Sequence, residues 1–179
     1  MRIEREHTVA LAIDFQEKLM AVMDRKEELL KHSQILLKGL QVLGIKTFIT
    51  QQYTKKLGMS IPEIYDAVGT KKFFDKTSFS CYLDPDIKQV LDKDVKTVII
   101  CGIEAHICVL QTVLDLLEKG FQVVLVVDCI SSRKESDMEI AIKRAIEEGA
   151  MVTTYEAILF ELLQSAKAKE FKEISKLIK

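Results

Sequence analysis

The chain has 179 residues and a formal net charge of −1, with 48% hydrophobic and 30% charged residues. This composition is typical of a soluble globular protein, and the length suits a single domain over residues 1–179. The near-neutral charge argues against a general nucleic-acid-binding protein, which needs a basic face to release counterions. No apolar run approaches the roughly 20 residues that cross a bilayer, and the N-terminus lacks a secretory signal pattern. We therefore expect a cytoplasmic protein without membrane contacts.

Apolar, β-branched runs alternate with amphipathic segments that end at a glycine, which predicts alternating strands and helices. In chain order, the expected strands lie within 8–15, 45–50, 71–74, 96–102, 121–128 and 150–155, and the helical segments are 29–44, 103–120 and 135–149. The strands are almost continuously apolar, as strands buried on both faces are. The sequence therefore predicts an α/β layer fold with a parallel sheet and right-handed crossovers.

Three reactive residues follow predicted strands. Asp14 ends the first strand, Lys76 follows the strand within 71–74, and Cys108 lies just past the strand within 96–102. Because the carboxyl ends of parallel strands meet at one edge of a sheet, an acid, an ammonium group and a thiol would share one cleft. Each residue taken alone also has a structural interpretation, since an aspartate can cap a turn, a loop lysine is usually solvated, and a cysteine often packs as a small apolar residue.

Together these three residues suit nucleophilic catalysis. A cation and a helix N-terminus lower a thiol pKa, so we expect a reactive thiolate at Cys108 next to Lys76. Asp14 would take the thiol proton and return it to a leaving group, and a thioester would form and then be hydrolysed. His106 is a poor base for Cys108, because residues two apart on a helix do not face each other.

The remaining cysteines and histidines give no metal or cofactor motif. The four cysteines, Cys81, Cys101, Cys108 and Cys129, form no C-x-x-C pair, and the three histidines are scattered along the chain. The sequence also lacks both glycine-rich phosphate-binding motifs. We therefore expect free thiols, no metal and no cofactor.

Three motifs in this order resemble one known family. "LAIDFQEKL" is similar to its first-strand motif, "DKTSFSCY" to its lysine motif and "VIICGIEAHICVLQT" to its nucleophile motif. The set resembles the isochorismatase-like cysteine hydrolases, over residues 7 to about 160. The segments "TQQYTKKLG" and "FKEISKLIK" add a resemblance to the subgroup of small isochorismatase-domain-containing proteins of the domain 2 type.

The resemblance implies a fold and a site. The fold would be a three-layer α/β/α sandwich, Rossmann-like, around a mainly parallel sheet of about six strands. Asp14, Lys76 and Cys108 would form the catalytic triad. A non-proline cis peptide bond would join Ile103 to Glu104, and the backbone N–H groups of Glu104 and Cys108 would form the oxyanion hole.

The same resemblance narrows the function. Nicotinamidase relatives carry an Asp-x-His metal motif where this chain reads "TQQYTKKLG", so we expect metal-independent chemistry. We predict a cysteine hydrolase that acts on a small amide-type substrate. The alternative is a non-enzymatic or redox-sensing interaction module that retains the fold.

Candidate substrate-binding residues combine polar and aromatic side chains near the same edge: Phe15, Gln52, Tyr53, Phe79 and Tyr82. Their alternative interpretation is core packing. By analogy with the family, we expect a homo-oligomer, a dimer or larger, whose partner in catalysis is a small molecule and not a nucleic acid.

Overall fold

A computed structural model describes residues 2–91 and 93–179, which form one six-stranded sheet with helices on both faces. The strands are β1 Thr8–Ile13, β2 Lys46–Gln52, β3 Phe73–Lys76, β4 Thr97–Ile103, β5 Gln122–Ser131 and β6 Met151–Thr153. Their order across the sheet is β3-β2-β1-β4-β5-β6, and every neighbouring pair is parallel. The predicted parallel α/β fold is confirmed.

The helices divide between the two faces of the sheet. The described helices are α1 Glu17–Met20, α2 Lys26–Val42, α3 Thr54–Leu57, α4 Pro62–Val68, α5 Pro85–Leu91, α6 Leu110–Glu118, α7 Glu135–Glu147, α8 Tyr155–Leu163 and α9 Phe171–Ile178. Helices α2, α4, α8 and α9 pack on one face, and α5, α6 and α7 pack on the other. Among the residues described, no helix combines the length and apolar character that a membrane span requires.

Strand β1 shows why the apolar runs are continuous. Ala10 and Ala12 join the core on the α2 face, whereas Val9, Leu11 and Ile13 join the core on the α6 face. All six residues of β1 are buried. A central strand covered by helices on both faces needs apolar side chains at every position, which is the pattern that the sequence shows.

The bounds of β3 differ from the sequence prediction in a way that matters for the site. Strand β3 starts at Phe73 and ends at Lys76, so the lysine lies inside the strand and does not follow it. This extension exists because Gln51 and Gln52 of β2 pair with Asp75 and Lys76. Polar residues that pair at the end of a strand leave no apolar signal, so the run at 71–74 marks only part of β3.

The direction in which successive strands are added to the sheet reverses between β1 and β4. From β1 the chain adds β2 and β3 on one side, while β4, β5 and β6 lie on the other side. In open α/β sheets such a reversal leaves a crevice at the carboxyl ends of the two strands. Gly102 allows the ends of β1 and β4 to lie close to each other, because a Cβ atom at this position would collide with the backbone of Ile13.

We predict that Gly102→Ala destabilises the fold more than Gly120→Ala. Both glycines have positive φ angles, +132° and +83°, but a Cβ on Gly120 would meet no atom within 4 Å. Overpacking at Gly102 should lower the free energy of unfolding by about 1–3 kcal/mol beyond the loss at Gly120. Urea unfolding of both variants measures this difference, and equal losses would contradict the proposed close approach of β1 and β4.

Candidate active site

Asp14 leaves the end of β1 in a left-handed conformation, with φ of 55°. Its N–H donates to the Thr50 carbonyl at 3.2 Å, and its carbonyl accepts from the Gln16 N–H at 2.6 Å. The carboxylate is fully buried, and Oδ1 accepts a hydrogen bond from the Thr50 hydroxyl at 2.8 Å. Backbone and side-chain contacts therefore fix the carboxylate at the crevice between β1 and β4.

Lys76, the last residue of β3, is also buried, and its ammonium group has a complete set of acceptors. Nζ donates to Asp14 Oδ2 at 2.7 Å, to Gln52 Oε1 at 2.7 Å and to the Ser78 carbonyl at 3.3 Å. Burial alone would lower the pKa of Lys76, but the combined attraction of Asp14 and the neighbouring sulfur atoms raises it above its ordinary value. Lys76 is therefore a stable cation paired with Asp14.

Cys108 lies in a π-helical turn, Ala105–Val109, between β4 and α6. The residue is 6% exposed. Its Sγ atom is 3.9 Å from Gln52 Oε1 and within hydrogen-bonding reach of Asp14. The structure thus brings an acid, an ammonium group and a thiol close together at the carboxyl edge of the sheet, and their catalytic role stays a prediction.

The charge state of Cys108 differs from the sequence expectation. Burial raises the pKa of this thiol, the Asp14 carboxylate raises it further, and Lys76 opposes this rise only in part. The expectation of a lowered pKa is therefore wrong, because it counted the cation and omitted the carboxylate and the loss of water. The raised pKa makes Cys108 a neutral thiol at rest.

The peptide bond between Ile103 and Glu104 is cis. The Glu104 carbonyl accepts from the N–H groups of Ile107 and Val109, and its carboxylate accepts from Arg133 Nε at 3.0 Å. These bonds hold the end of β4 against the π-helical turn and the segment after β5. The backbone N–H groups of Glu104 and Cys108 remain the predicted oxyanion donors.

Gln52, one of the candidate substrate-binding residues, lies in the centre of the site. Its Oε1 accepts from Lys76, and its Nε2 donates to the Thr77 carbonyl at 2.7 Å. Both ends of the amide therefore have protein partners. Gln52 holds the lysine in place, whereas contact with a substrate stays a prediction.

The four aromatic candidates occupy different environments. Tyr53 and Phe79 are 44% and 52% exposed on the segments that follow β2 and β3, where they can form a rim. Phe15 is fully buried in the core on the α2 face. Tyr82 is buried, and its ring packs against Phe121 beside the amino end of β5. Contact of any of these four rings with a substrate stays a prediction.

Sequence reasoning missed two buried polar residues that build the site. Thr50 binds Asp14, and Gln16 binds the backbone of Gln52, accepting from its N–H at 2.6 Å and donating to its carbonyl at 3.0 Å. Strand periodicity carried a signal for Thr50, since residues 50 and 52 share one face of β2. Gln16 stood in the quoted first-strand motif, but nothing local indicated its partner.

His106 contacts the segment after β5 and not the thiol. Its Nδ1 is 2.9 Å from the Ser132 hydroxyl, and its Nε2 is 3.9 Å from Asp137 Oδ2. The π-helical turn makes the backbone irregular here, yet the imidazole still has partners other than Cys108. This agrees with the sequence argument against a Cys–His dyad.

The carboxyl end of β2 does not fit a divalent metal ion. Gln51 Oε1 accepts from the Thr54 hydroxyl, and Gln52 Oε1 accepts from Lys76. The amide oxygen of Gln52 therefore already binds a cation, the Lys76 ammonium group. Over residues 2–91 and 93–179, no group of three or more His, Cys, Asp or Glu side chains is arranged to hold a metal.

Comparison with known proteins links this chain to one family. The isochorismatase domain matches residues 8–157. Isochorismatase domain-containing protein 2 of Danio rerio is 37% identical, with 99% of this chain and 89% of the relative aligned. Isochorismatase domain-containing protein 1 of Salmo salar is also 37% identical over 96% of this chain. This chain spans 61% of the length of the latter. The Phytophthora sojae secreted isochorismatase effector Isc1 is 34% identical over 99% of this chain and 87% of its own length.

Solved structures share the fold. The structure described as MAR1 ribonuclease from Caenorhabditis elegans has a TM-score of 0.93 and 38% identity, over 99% of this chain and 92% of that chain. YcaC from Escherichia coli, described as an octameric hydrolase of unknown specificity, has a TM-score of 0.93 with 18% identity, over 99% and 89% of the two chains. At that identity the second likeness supports the three-layer fold only.

We predict that Lys76→Met lowers the free energy of unfolding by about 3–5 kcal/mol, because it leaves the Asp14 carboxylate buried without its cation. The matched control is Lys119→Met, which breaks a pair with Glu118 on an exposed surface and should cost about 1 kcal/mol or less. Adding Asp14→Asn to Lys76→Met should recover part of the loss. Chemical denaturation measures these three variants and Asp14→Asn alone, and an additive double variant would contradict the buried pair.

We also predict that stability falls as the pH rises above about 9. Burial raises the pKa of Cys101 to about 12 and that of Cys81 to about 11, from an ordinary 9.0. Each thiol therefore keeps its proton in the folded state after losing it in the unfolded state. The free energy of unfolding should fall by about 1.4 kcal/mol per pH unit for each thiol between these limits. Cys101→Ala should flatten the slope by one such increment, and an unchanged slope would contradict the burial argument.

Proposed function

This chain belongs to the isochorismatase domain family, and we propose that it is a hydrolase that cleaves the C–N bond of a small amide-type substrate. The proposed catalytic residues are Cys108, Asp14 and Lys76. The observation that carries the proposal is the meeting of these three side chains, with the Lys76–Asp14 distance at 2.7 Å and the thiol beside both. The family assignment supports the hydrolase class, and the geometry supports the roles.

The neutral thiol dictates the order of proton transfers. As Sγ attacks the carbonyl carbon, the thiol proton moves to Asp14, which lies within hydrogen-bonding reach. The tetrahedral intermediate collapses, the C–N bond breaks, and the nitrogen leaves with the proton from Asp14. Water then adds to the thioester and loses a proton to Asp14. The S–C bond breaks, the acid product departs, and the thiol regains its proton.

Lys76 acts electrostatically in this scheme. Its ammonium group lies against Asp14 while the carboxylate is negative, and it lies beside the developing negative charge when Asp14 is protonated. The backbone N–H groups of Glu104 and Cys108 would bind the substrate oxygen as it becomes an oxyanion. A fixed cation and fixed amides need no reorganisation during the reaction.

The burial of the site favours a small substrate. Cys108 is 6% exposed, and Asp14 and Lys76 are 0% and 1% exposed, so only a compact acyl group can reach the sulfur. The exposed rings of Tyr53 and Phe79 would contact the part of the substrate that stays at the rim.

Two competing functions deserve direct tests. A non-enzymatic or redox-sensing module would use the same thiol without turnover. A ribonuclease, the name carried by the C. elegans relative, would need cations to bind phosphate. Lys76, the cation beside Cys108, already donates to three protein acceptors, which argues against phosphate binding by this residue.

We predict that a panel of small primary amides and carbamoyl compounds contains a substrate whose turnover depends on Cys108. Cys108→Ala and Asp14→Asn should each lower kcat on the order of 10⁴- to 10⁶-fold. Cys129→Ala is the matched control, since Cys129 is a fully buried cysteine in β5 and should retain parent kcat. Acid-quenched mass spectrometry of the parent should detect a thioester on Cys108.

The panel includes a single-stranded RNA incubated with the parent and with Cys108→Ala. Ammonia or amine release by the parent alone supports the amide hydrolase. RNA cleavage by the parent but not the variant supports the ribonuclease, and turnover of no compound supports the interaction module.

A further inference from the structure

The Thr50 hydroxyl is the second donor to the buried Asp14 carboxylate. It donates to Oδ1 at 2.8 Å, while Lys76 donates to Oδ2 at 2.7 Å. We propose that Thr50 is a positioning residue that holds the Asp14 carboxylate oriented to accept the thiol proton. This inference rests on the proposed function, because it concerns the base of that reaction.

The geometry gives Thr50 a role that Lys76 cannot fill. A carboxylate held at one oxygen only can rotate about its Cβ–Cγ bond, whereas donors on both oxygens fix its plane. With Oδ1 and Oδ2 held, the plane of the base has one orientation relative to Cys108. A buried carboxylate oxygen without a donor also favours the protonated acid, which cannot act as a base.

The backbone strengthens this coupling. Thr50 pairs in register with Ile13, and its carbonyl accepts from the Asp14 N–H at 3.2 Å. Thr50 therefore forms hydrogen bonds with Asp14 through both its main chain and its side chain. No water competes for the hydroxyl, since Thr50 is 0% exposed.

Cys81 orients the Thr50 hydroxyl from the other side. Its Sγ lies 3.8 Å from Thr50 Oγ1, a distance that suits a thiol donating to a hydroxyl oxygen. Burial raises the pKa of Cys81 to about 11, so it keeps its proton at neutral pH. With its oxygen accepting from Cys81, the hydroxyl directs its own hydrogen to Asp14.

The test is alkylation of Cys108 by iodoacetamide, because it needs no knowledge of the substrate. The second-order rate constant is measured by peptide mass spectrometry from pH 5 to pH 9. The variants are Thr50→Val, which keeps the shape and removes the hydroxyl, and Thr50→Ser, which keeps the hydroxyl. Thr97→Val is the matched control, since Thr97 is a buried strand threonine whose hydroxyl donates to Gln122 at 2.8 Å.

We expect Thr50→Val to lower the rate constant at pH 6 about tenfold, the worth of one hydrogen bond to a charged group, and to move the acid limb to higher pH. Thr50→Ser should restore the parent profile, and Thr97→Val should keep it despite a similar loss of a buried hydrogen bond. If Thr50→Val does not fold, Thr50→Ala replaces it in the same comparison. A parent-like profile for the hydroxyl-free variant, or an equal loss in Thr97→Val, overturns the inference.

Asp14→Asn separates this inference from the proposed function. Because the Asp14 carboxylate raises the pKa of Cys108, Asp14→Asn is assessed by amide turnover on the panel and not by alkylation. If Asp14→Asn keeps the parent kcat, Asp14 is not the base and the proposed function itself fails. If Asp14→Asn loses turnover while Thr50→Val matches the parent in alkylation, only the role of Thr50 fails.

Discussion

The buried ion pair between Asp14 and Lys76 is the interaction on which the rest of the site depends. Both side chains have zero exposure, and moving two charges out of water costs several kcal/mol per ion unless hydrogen bonds compensate. The compensation here is complete for the ammonium group, with acceptors from Asp14, Gln52 and Ser78. The carboxyl ends of β1, β2 and β3 are therefore locked to one another by the need to satisfy this pair.

The pair also explains why the thiol is neutral at rest. Cys108 lies near both Lys76 and Asp14, so the effect of the cation on the thiol pKa is largely cancelled by that of the anion. Burial then makes the net shift of the pKa upward. In a Cys–His pair the base becomes the cation, and a thiolate is stable before substrate arrives. In the proposed reaction the thiolate forms only as it attacks. A thiol that stays protonated resists oxidation, since susceptibility to oxidation follows thiolate character.

The sequence was sufficient for features that depend on one strand or helix at a time. Apolar runs and glycine-ended helices predicted the parallel sheet. Because the carboxyl ends of parallel strands meet at one edge, the same pattern placed Asp14, Lys76 and Cys108 together. The extension of β3 to Lys76 has no local signature, because pairing with β2 creates it. The π-helical turn around Cys108 was also not predicted, since the segment was read as an ordinary helix. The direction of the Cys108 pKa shift could not be predicted from the sequence, since it depends on the combined effects of burial and two opposite charges.

The division of labour between the inside of the site and its rim follows from the same contacts. The polar groups near the sulfur already have hydrogen-bond partners within the protein. Gln52 binds Lys76 and the Thr77 carbonyl, and Thr50 binds Asp14. A substrate that used these groups for recognition would have to break the bonds that stabilise the ion pair. Under the proposed function, recognition beyond the reacting carbonyl would fall to the exposed residues after β2 and β3, among them Tyr53 and Phe79. Exchanges at this rim would then change the substrate without disturbing the Asp14–Lys76 pair.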